Sequence, residues 1–129
     1  MAGTYLPHGF FLSRVANPLI MRLGLLPTLA VRGRRSGEWR TVPVHVLELD
    51  GERYLVAPRG DTHWARNLRA SGEGELRRRG RVERFRATEV PVDERRPLID
   101  AYLARWGREV KAIFEQLPDP ADHPVYRLS

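Results

Sequence analysis

The sequence contains no cysteine, and among its 129 residues a single lysine, Lys111. Without cysteine there is no disulfide, no thiolate nucleophile and no cysteine metal site, a usage compatible with a reducing cytoplasm. With one lysine, the formal net charge of +6 is carried by arginine. Two explanations compete for that bias. Arginine's rigid fork suits fixed recognition of anions, and a composition rich in Ala, Arg, Gly and Pro also follows from the codon usage of a GC-rich genome. A long apolar run is missing as well. The most apolar stretch, Phe10 to Leu26, is interrupted by Arg14, Asn17, Pro18 and Arg22, so it neither spans a bilayer nor reads as a cleaved signal. The expected location is the cytoplasm, with weak association at a membrane surface left open. Metal-ligand spacing is absent too: His8, His45, His63 and His123 stand apart, with no evident acidic partner.

What is present is the composition of a globular domain. At 42% hydrophobic and 29% charged residues the chain lies far from the signature of disorder, and its length suits one hydrophobic core. Residues 1–27 read as an N-terminal amphipathic helical segment, because Phe10, Phe11, Val15, Leu19, Ile20 and Leu23 recur at helical spacing around an Asn17-Pro18 break. Residues 28–129 read as the main domain. Thr28 to Arg32 and Trp39 to Leu49 predict strands, and Asp50-Gly51 predicts a tight hairpin into a third strand at 53–57, giving three consecutive antiparallel strands. A short helix through Trp64, Asn67 and Leu68 follows, with Asp61 or Thr62 as its cap, and Ser71 to Gly74 reads as a loop. Glu75 to Val90 predicts a second hairpin around Gly80. Asp93 is positioned to cap a helix carrying Leu98, Tyr102 and Trp106, which Gly107 interrupts, and Val125 to Leu128 predicts a last strand. Antiparallel strands in this number curl into a barrel with helices at its side, an α+β arrangement.

The densest signal lies between residues 31 and 44, where Gly33-Arg34-Arg35-Ser36-Gly37 forms a glycine-bracketed turn with Arg40 just beyond. Glycines permit close backbone approach, exposed turn amides form an anion-binding concavity, and arginine forks match phosphate or carboxylate. By itself the turn does not distinguish a phosphate from a carboxylate tail or a nucleic acid.

Three elements together narrow the ligand: this turn with Arg40-Thr41-Val42-Pro43-Val44, Asp50-Gly51 followed by Tyr54-Leu55-Val56-Ala57, and Trp64 with Asn67-Leu68-Arg69-Ala70. In their order and spacing the sequence resembles the deazaflavin-dependent nitroreductase family. The resemblance runs from Thr28 to Ala70 and more loosely to His123-Pro124-Val125-Tyr126. It implies a split β-barrel of the FMN-binding-like type, a coenzyme F420 site, and hydride transfer to a small quinone, nitroaromatic or enone acceptor with no protein nucleophile. The implied coenzyme contacts are Leu29, Ala30, Arg34, Arg35, Ser36, Gly37, Glu38, Trp39, Arg40, Val44, His45, Val46, Val56, Ala57, Pro58, Arg59 and Trp64. Of these, Arg34, Arg35, Ser36 and Arg40 would take the phosphate and acidic tail, with Arg59 a further anion contact. Val42 to Val46 would run beside the flat ring, and Pro43, which lacks a strand donor, suits an edge there. Tyr102 and Trp106 are the implied substrate contacts.

The sequence departs from that family in two places. Four residues, Gly60 to His63, stand where many relatives have a longer glycine-rich loop, and arginine occupies positions 35 and 59, where lysine is common. FMN is the alternative coenzyme. A non-catalytic F420 or FMN carrier is the alternative function. Six arginines between Arg77 and Arg86 raise a third reading, a nucleic-acid-binding barrel, but that hairpin interleaves Phe85 alone as a stacking aromatic. The expected partners are therefore a small-molecule substrate and no nucleic acid, with a homodimer left open.

Overall fold

The computed structural model describes residues 26–129, so the N-terminal amphipathic segment expected over 1–27 lies almost wholly outside the described residues. Seven strands run in the order β1 (Thr28–Arg32), β2 (Trp39–Pro43), β3 (Leu47–Leu49), β4 (Glu52–Val56), β5 (Glu73–Arg78), β6 (Arg81–Glu89) and β7 (Val125–Leu128). Helix α1 (His63–Ser71) follows β4, and α2 (Arg96–Gln116) follows β6. All strand pairs are antiparallel, and the sheet order is β2-β1-β5-β6-β7-β4-β3.

That order requires curvature. Strands β2 and β3 occupy opposite edges of the sheet, yet three residues, Val44 to Val46, connect them. Four Cα steps reach at most about 15 Å. Seven strands laid flat would separate the edges by about 29 Å. The sheet therefore curls until its edges approach, which is the split barrel the sequence predicts.

The single strand expected over Trp39–Leu49 is thereby corrected to two, and the three consecutive neighbours to two separate hairpins. Pro43 withholds a ladder donor at the edge of β2. The next amide, Val44 N, donates to Pro27 O at 3.1 Å instead, so the chain leaves one edge and joins the other. The Asp50-Gly51 and Arg79-Gly80 hairpins have two-residue loops with positive φ at both positions (52° and 79°, 51° and 79°), as a type I′ turn requires.

Two further expectations change. Ser71 to Gly74 is no loop: Gly72 caps α1, its N–H donating to Leu68 O at 2.7 Å, and β5 starts at Glu73. Asp93 caps nothing, because it falls in a 3-10 turn at Val92–Glu94, and α2 begins at Arg96 with a proline in its first turn. The interruption expected at Gly107 falls one residue earlier. The chain kinks at Trp106, with φ −123° and ψ 17°, and continues to Gln116.

The core has two parts divided by β4 and β7. Alternation on these strands sends Leu55, Tyr126 and Leu128 into the barrel beside Leu29, Val31, Leu68 and Phe85. It sends Val56 and Val125 outward beneath α2, among Ile99, Tyr102, Val110 and Ile113. The last strand of the chain thus sits inside the sheet, between β6 and β4, buried on both faces.

Both buried phenols have a consequence for alkaline stability. Tyr126 donates to Ala65 O at 2.7 Å, and burial pushes it and Tyr102 above the ordinary tyrosine value of 10.0. Because the folded values are raised, their contribution is complete below the unfolded value and is lost as pH rises through the folded one. The thermal midpoint is expected to fall above about pH 10, and Tyr126→Phe to fall less steeply. Equal slopes for the two proteins in a series from about pH 8 to 11 would contradict this.

Candidate functional site

The β1–β2 turn is closed from within. Gly33 N donates to Glu38 O at 2.8 Å, Gly37 N to Gly33 O at 2.9 Å, and Glu38 N to Ser36 Oγ at 3.1 Å. A Cβ on Gly33 would lie 2.9 Å from Ser36 Oγ, and Gly37 has φ of 73°, so both glycines serve the turn's shape. The amides of Arg35 and Ser36 at the tip lie outside these bonds.

Helix α1 fixes where the turn points. Asn67, buried on α1, accepts from the Arg34 backbone N–H at 3.1 Å and from Arg34 Nη1 at 2.7 Å, while Arg34 Nη2 lies 3.4 Å from His63 Nδ1. Asn67 is thus a backbone partner for a residue 33 positions away in sequence.

Between turn and helix lies a cleft of about 640 Å³, within the range of small-molecule sites. Gly33, Arg34, Arg35, Ser36, Arg40, Thr41 and Val42 form one side, and Arg59, Thr62, His63, Trp64, Arg66 and Asn67 the other. Five arginines and no carboxylate line it, so its potential is positive. The acid next to Thr62 in sequence, Asp61, is paired. Asp61, buried, lies 3.0 Å from Arg69 and 3.7 Å from Arg66, and Arg69 continues to Glu89 at 2.8 Å. Glu89 in turn meets Arg95 at 3.1 Å. Those bonds to Glu89 and Asp61 hold the Arg69 proton more tightly than usual.

Of the expected coenzyme contacts, the structure brings together Arg34, Arg35, Ser36, Arg40, Arg59 and Trp64. Leu29, Ala30, Val44, Val56 and Ala57 are buried in the core, and Val46 packs against it. Gly37, Glu38 and Pro58 adjoin the cleft in sequence without lining it. Trp39 stands on the outer edge, its ring 4.3 Å from the Arg32 guanidinium and 5.1 Å from that of Arg77.

His45 forms a separate cluster with Tyr102 and Trp106 of α2. His45 stacks on Trp106 at 4.5 Å, meets Tyr102 edge-on at 6.4 Å, and its Nε2 lies 2.7 Å from Glu109. The acidic partner that the sequence did not show for His45 therefore exists, 64 residues away. Neither Tyr102 nor Trp106 reaches the cleft. Sequence reasoning passed over Thr62, His63, Arg66 and Asn67 as cleft residues. The available signal was their helical spacing beside Trp64, which gathers 63, 66 and 67 on one face. Among the described residues, no group of three or more His, Asp or Glu side chains is placed to hold a metal, and no helix is long and apolar enough to cross a membrane.

A family profile described as F420H2-dependent quinone reductase matches residues 14–112. The chain belongs to that family. It is accordingly a deazaflavin-dependent oxidoreductase using coenzyme F420. Solved structures agree on the fold. An F420-H2-dependent reductase matches at 21% identity and TM-score 0.60, over 81% of this chain and 93% of its own. A domain-swapped dimer matches at 21% and 0.58, over 81% and 79%. A FAD-binding protein from Mesorhizobium loti matches at 17% and 0.54, over 86% and 85%. At these identities they establish the split barrel alone. No curated protein matches the sequence.

Proposed function

We propose that the cleft between the β1–β2 turn and α1 binds F420, and that the reaction reduces a quinone. The observation that carries this reading is the convergence of five arginines on one wall-to-wall cleft beside Trp64 in a chain of this family. The residues fit the coenzyme. Its phosphodiester and carboxylate tail are anions, which Arg34, Arg35, Arg40 and Arg59 suit through charge-assisted bonds. Val42 and Trp64 supply apolar surface for a flat ring. When bound, reduced F420 supplies a hydride, and a proton completes the two-electron reduction of a quinone to its hydroquinone.

The protein's own part is placement. Asn67 holds Arg34 and thereby the turn, and Trp64, 8% exposed, backs the cleft on the barrel core against Tyr126. A hydride donor and acceptor held in register need no protein nucleophile. Quinone leads the nitroaromatic and enone acceptors because the family's description names it.

Steady-state oxidation of reduced F420 tests this, with menadione, a nitroaromatic and an enone offered in turn. Turnover is expected with menadione above the other two. Tight F420 binding with no turnover on any of the three would instead make the protein a carrier.

A further inference from the structure

We propose that His45 is a positioning residue for hydride transfer, a role that rests on the F420 reading of the cleft. Its bond to Glu109 and its stack on Trp106 fix the connector between β2 and β3 to α2, and with it one end of the cleft wall. Three residues, Val44 to Val46, form that connector, and their side chains alternate as on a strand. Val44 and Val46 pack into the barrel core. His45, between them, meets α2 instead.

The contacts of His45 span the kink in that helix. Tyr102 lies before the kink, its ring 6.4 Å from that of His45, and Trp106 is the kink residue, stacked on His45 at 4.5 Å and 18°. Glu109 lies beyond the kink, with Oε2 2.7 Å from His45 Nε2. A carboxylate accepts, so Nε2 donates. On the same aromatic cluster the Arg105 guanidinium lies 5.0 Å from the Trp106 ring. An aliphatic side chain at position 45 could occupy the space but make neither the bond nor the stack. Both contacts are directional, so they set where the connector sits as well as how closely it packs.

Connector and cleft are joined through β2. Val42 lines the cleft at the connector end of that strand, whereas Arg34, Arg35 and Ser36 line it at the turn end. The turn has its own anchor in Asn67 on α1. At the connector end, the bond from Val44 N to Pro27 O holds the chain to β1, and His45 holds it to α2. A displacement at position 45 therefore reaches Val42 and leaves the arginine-bearing turn in place. In the proposed complex the flat ring lies against Val42, and hydride transfer depends steeply on where that ring is held. Loss of the His45 contacts should slow the chemistry and spare the affinity that the arginines provide.

Wild type is compared with His45→Ala, His45→Gln, Glu109→Ala and the His45→Ala/Glu109→Ala double variant. Titration gives the Kd of F420, and single-turnover mixing of the complex with reduced F420 against excess menadione gives the rate constant for hydride transfer. In His45→Ala that rate constant is expected to fall roughly tenfold or more, with Kd within about twofold of wild type. Glutamine can still donate to Glu109, so His45→Gln should recover most of the rate. Glu109→Ala should slow the wild type, yet add nothing to His45→Ala, because Glu109 acts through His45. Glu109 is 54% exposed, so its variant keeps the fold and carries the same test if His45→Ala does not fold.

An unchanged rate constant in His45→Ala or in Glu109→Ala, whatever the thermal midpoint, would reduce the cluster to packing and overturn the proposal. His45→Gln as slow as His45→Ala would overturn it too, as would additive losses in the double variant or a Kd that rises as far as the rate falls. Each of these results leaves the F420 reading intact, because wild-type binding decides that reading. A wild type that binds no F420 would sink both.

Discussion

Replacing Arg34 and Arg35 together by alanine is expected to weaken F420 binding by roughly 3 kcal/mol, more than a hundredfold. Both arginines line the cleft, and in the proposed complex each would offer a charge-assisted bond to the anionic tail. The two differ in how they act. Arg34 is also tied to Asn67 and His63, so its loss frees the turn from α1 as well as removing a cation. Arg35 has no such tie among the described contacts, and its loss should act on charge alone. Single variants separate the two: Arg34→Ala should lose affinity for neutral and anionic deazaflavins alike, and Arg35→Ala for the anionic one only. Isothermal titration measures both. An affinity within about twofold of wild type in the double variant would remove the turn from the site.

Arg95→Met is expected to cost about 3 kcal/mol of folding stability, the largest effect of a single change away from the cleft. Arg95 is 5% exposed and sits between α2 and the C-terminal strand. Its Nε donates to Val90 O at 2.9 Å, its Nη1 to Pro120 O and His123 O at 3.2 and 3.3 Å, and its Nη2 to Glu89 at 3.1 Å. Methionine fills much of the space and satisfies none of these acceptors. Three carbonyls and part of a carboxylate then lose their donor in a poorly hydrated environment. The damage extends toward the cleft, because His123, fully buried, bonds Ala57 O at 2.9 Å, two residues before Arg59. Urea unfolding should show a lower midpoint with an unchanged slope. A midpoint shift worth less than about 1 kcal/mol would show that the carbonyls find other donors.

Much of this fold was legible because its signals are local. The strands at Thr28–Arg32 and Val125–Leu128 follow β-branched and apolar runs, and the Asp50-Gly51 hairpin follows turn chemistry. The glycine-bracketed turn at Gly33–Gly37 was legible for the same reason. What escaped depends on contacts distant in sequence. Residues 39–49 read as one strand because alternation continues through Val44, His45 and Val46. Whether such a run stays on one edge or crosses to the other is decided by barrel closure and by Pro27 O waiting for Val44 N. Asn67 and Arg34, or His45 and Glu109, are paired by that closure and by nothing in their local sequence. Tyr102 and Trp106 pack in and against the second core, and an aromatic stripe at helical spacing looks alike in sequence whether it faces a ligand or a core. Thr62 was read as a cap, and no pattern in the sequence tells a capping threonine from one whose hydroxyl is left unused.

The central claim is that the cleft between the β1–β2 turn and α1 receives F420, and the most direct test is titration of F420 followed by tryptophan fluorescence, with FMN in parallel. Trp64 lines the cleft and should report its filling. Saturable quenching by F420, much weaker with FMN and lost in Arg34→Ala/Arg35→Ala, is the predicted result. Saturable quenching by FMN with none by F420, or F420 binding that the double variant leaves intact, would contradict it.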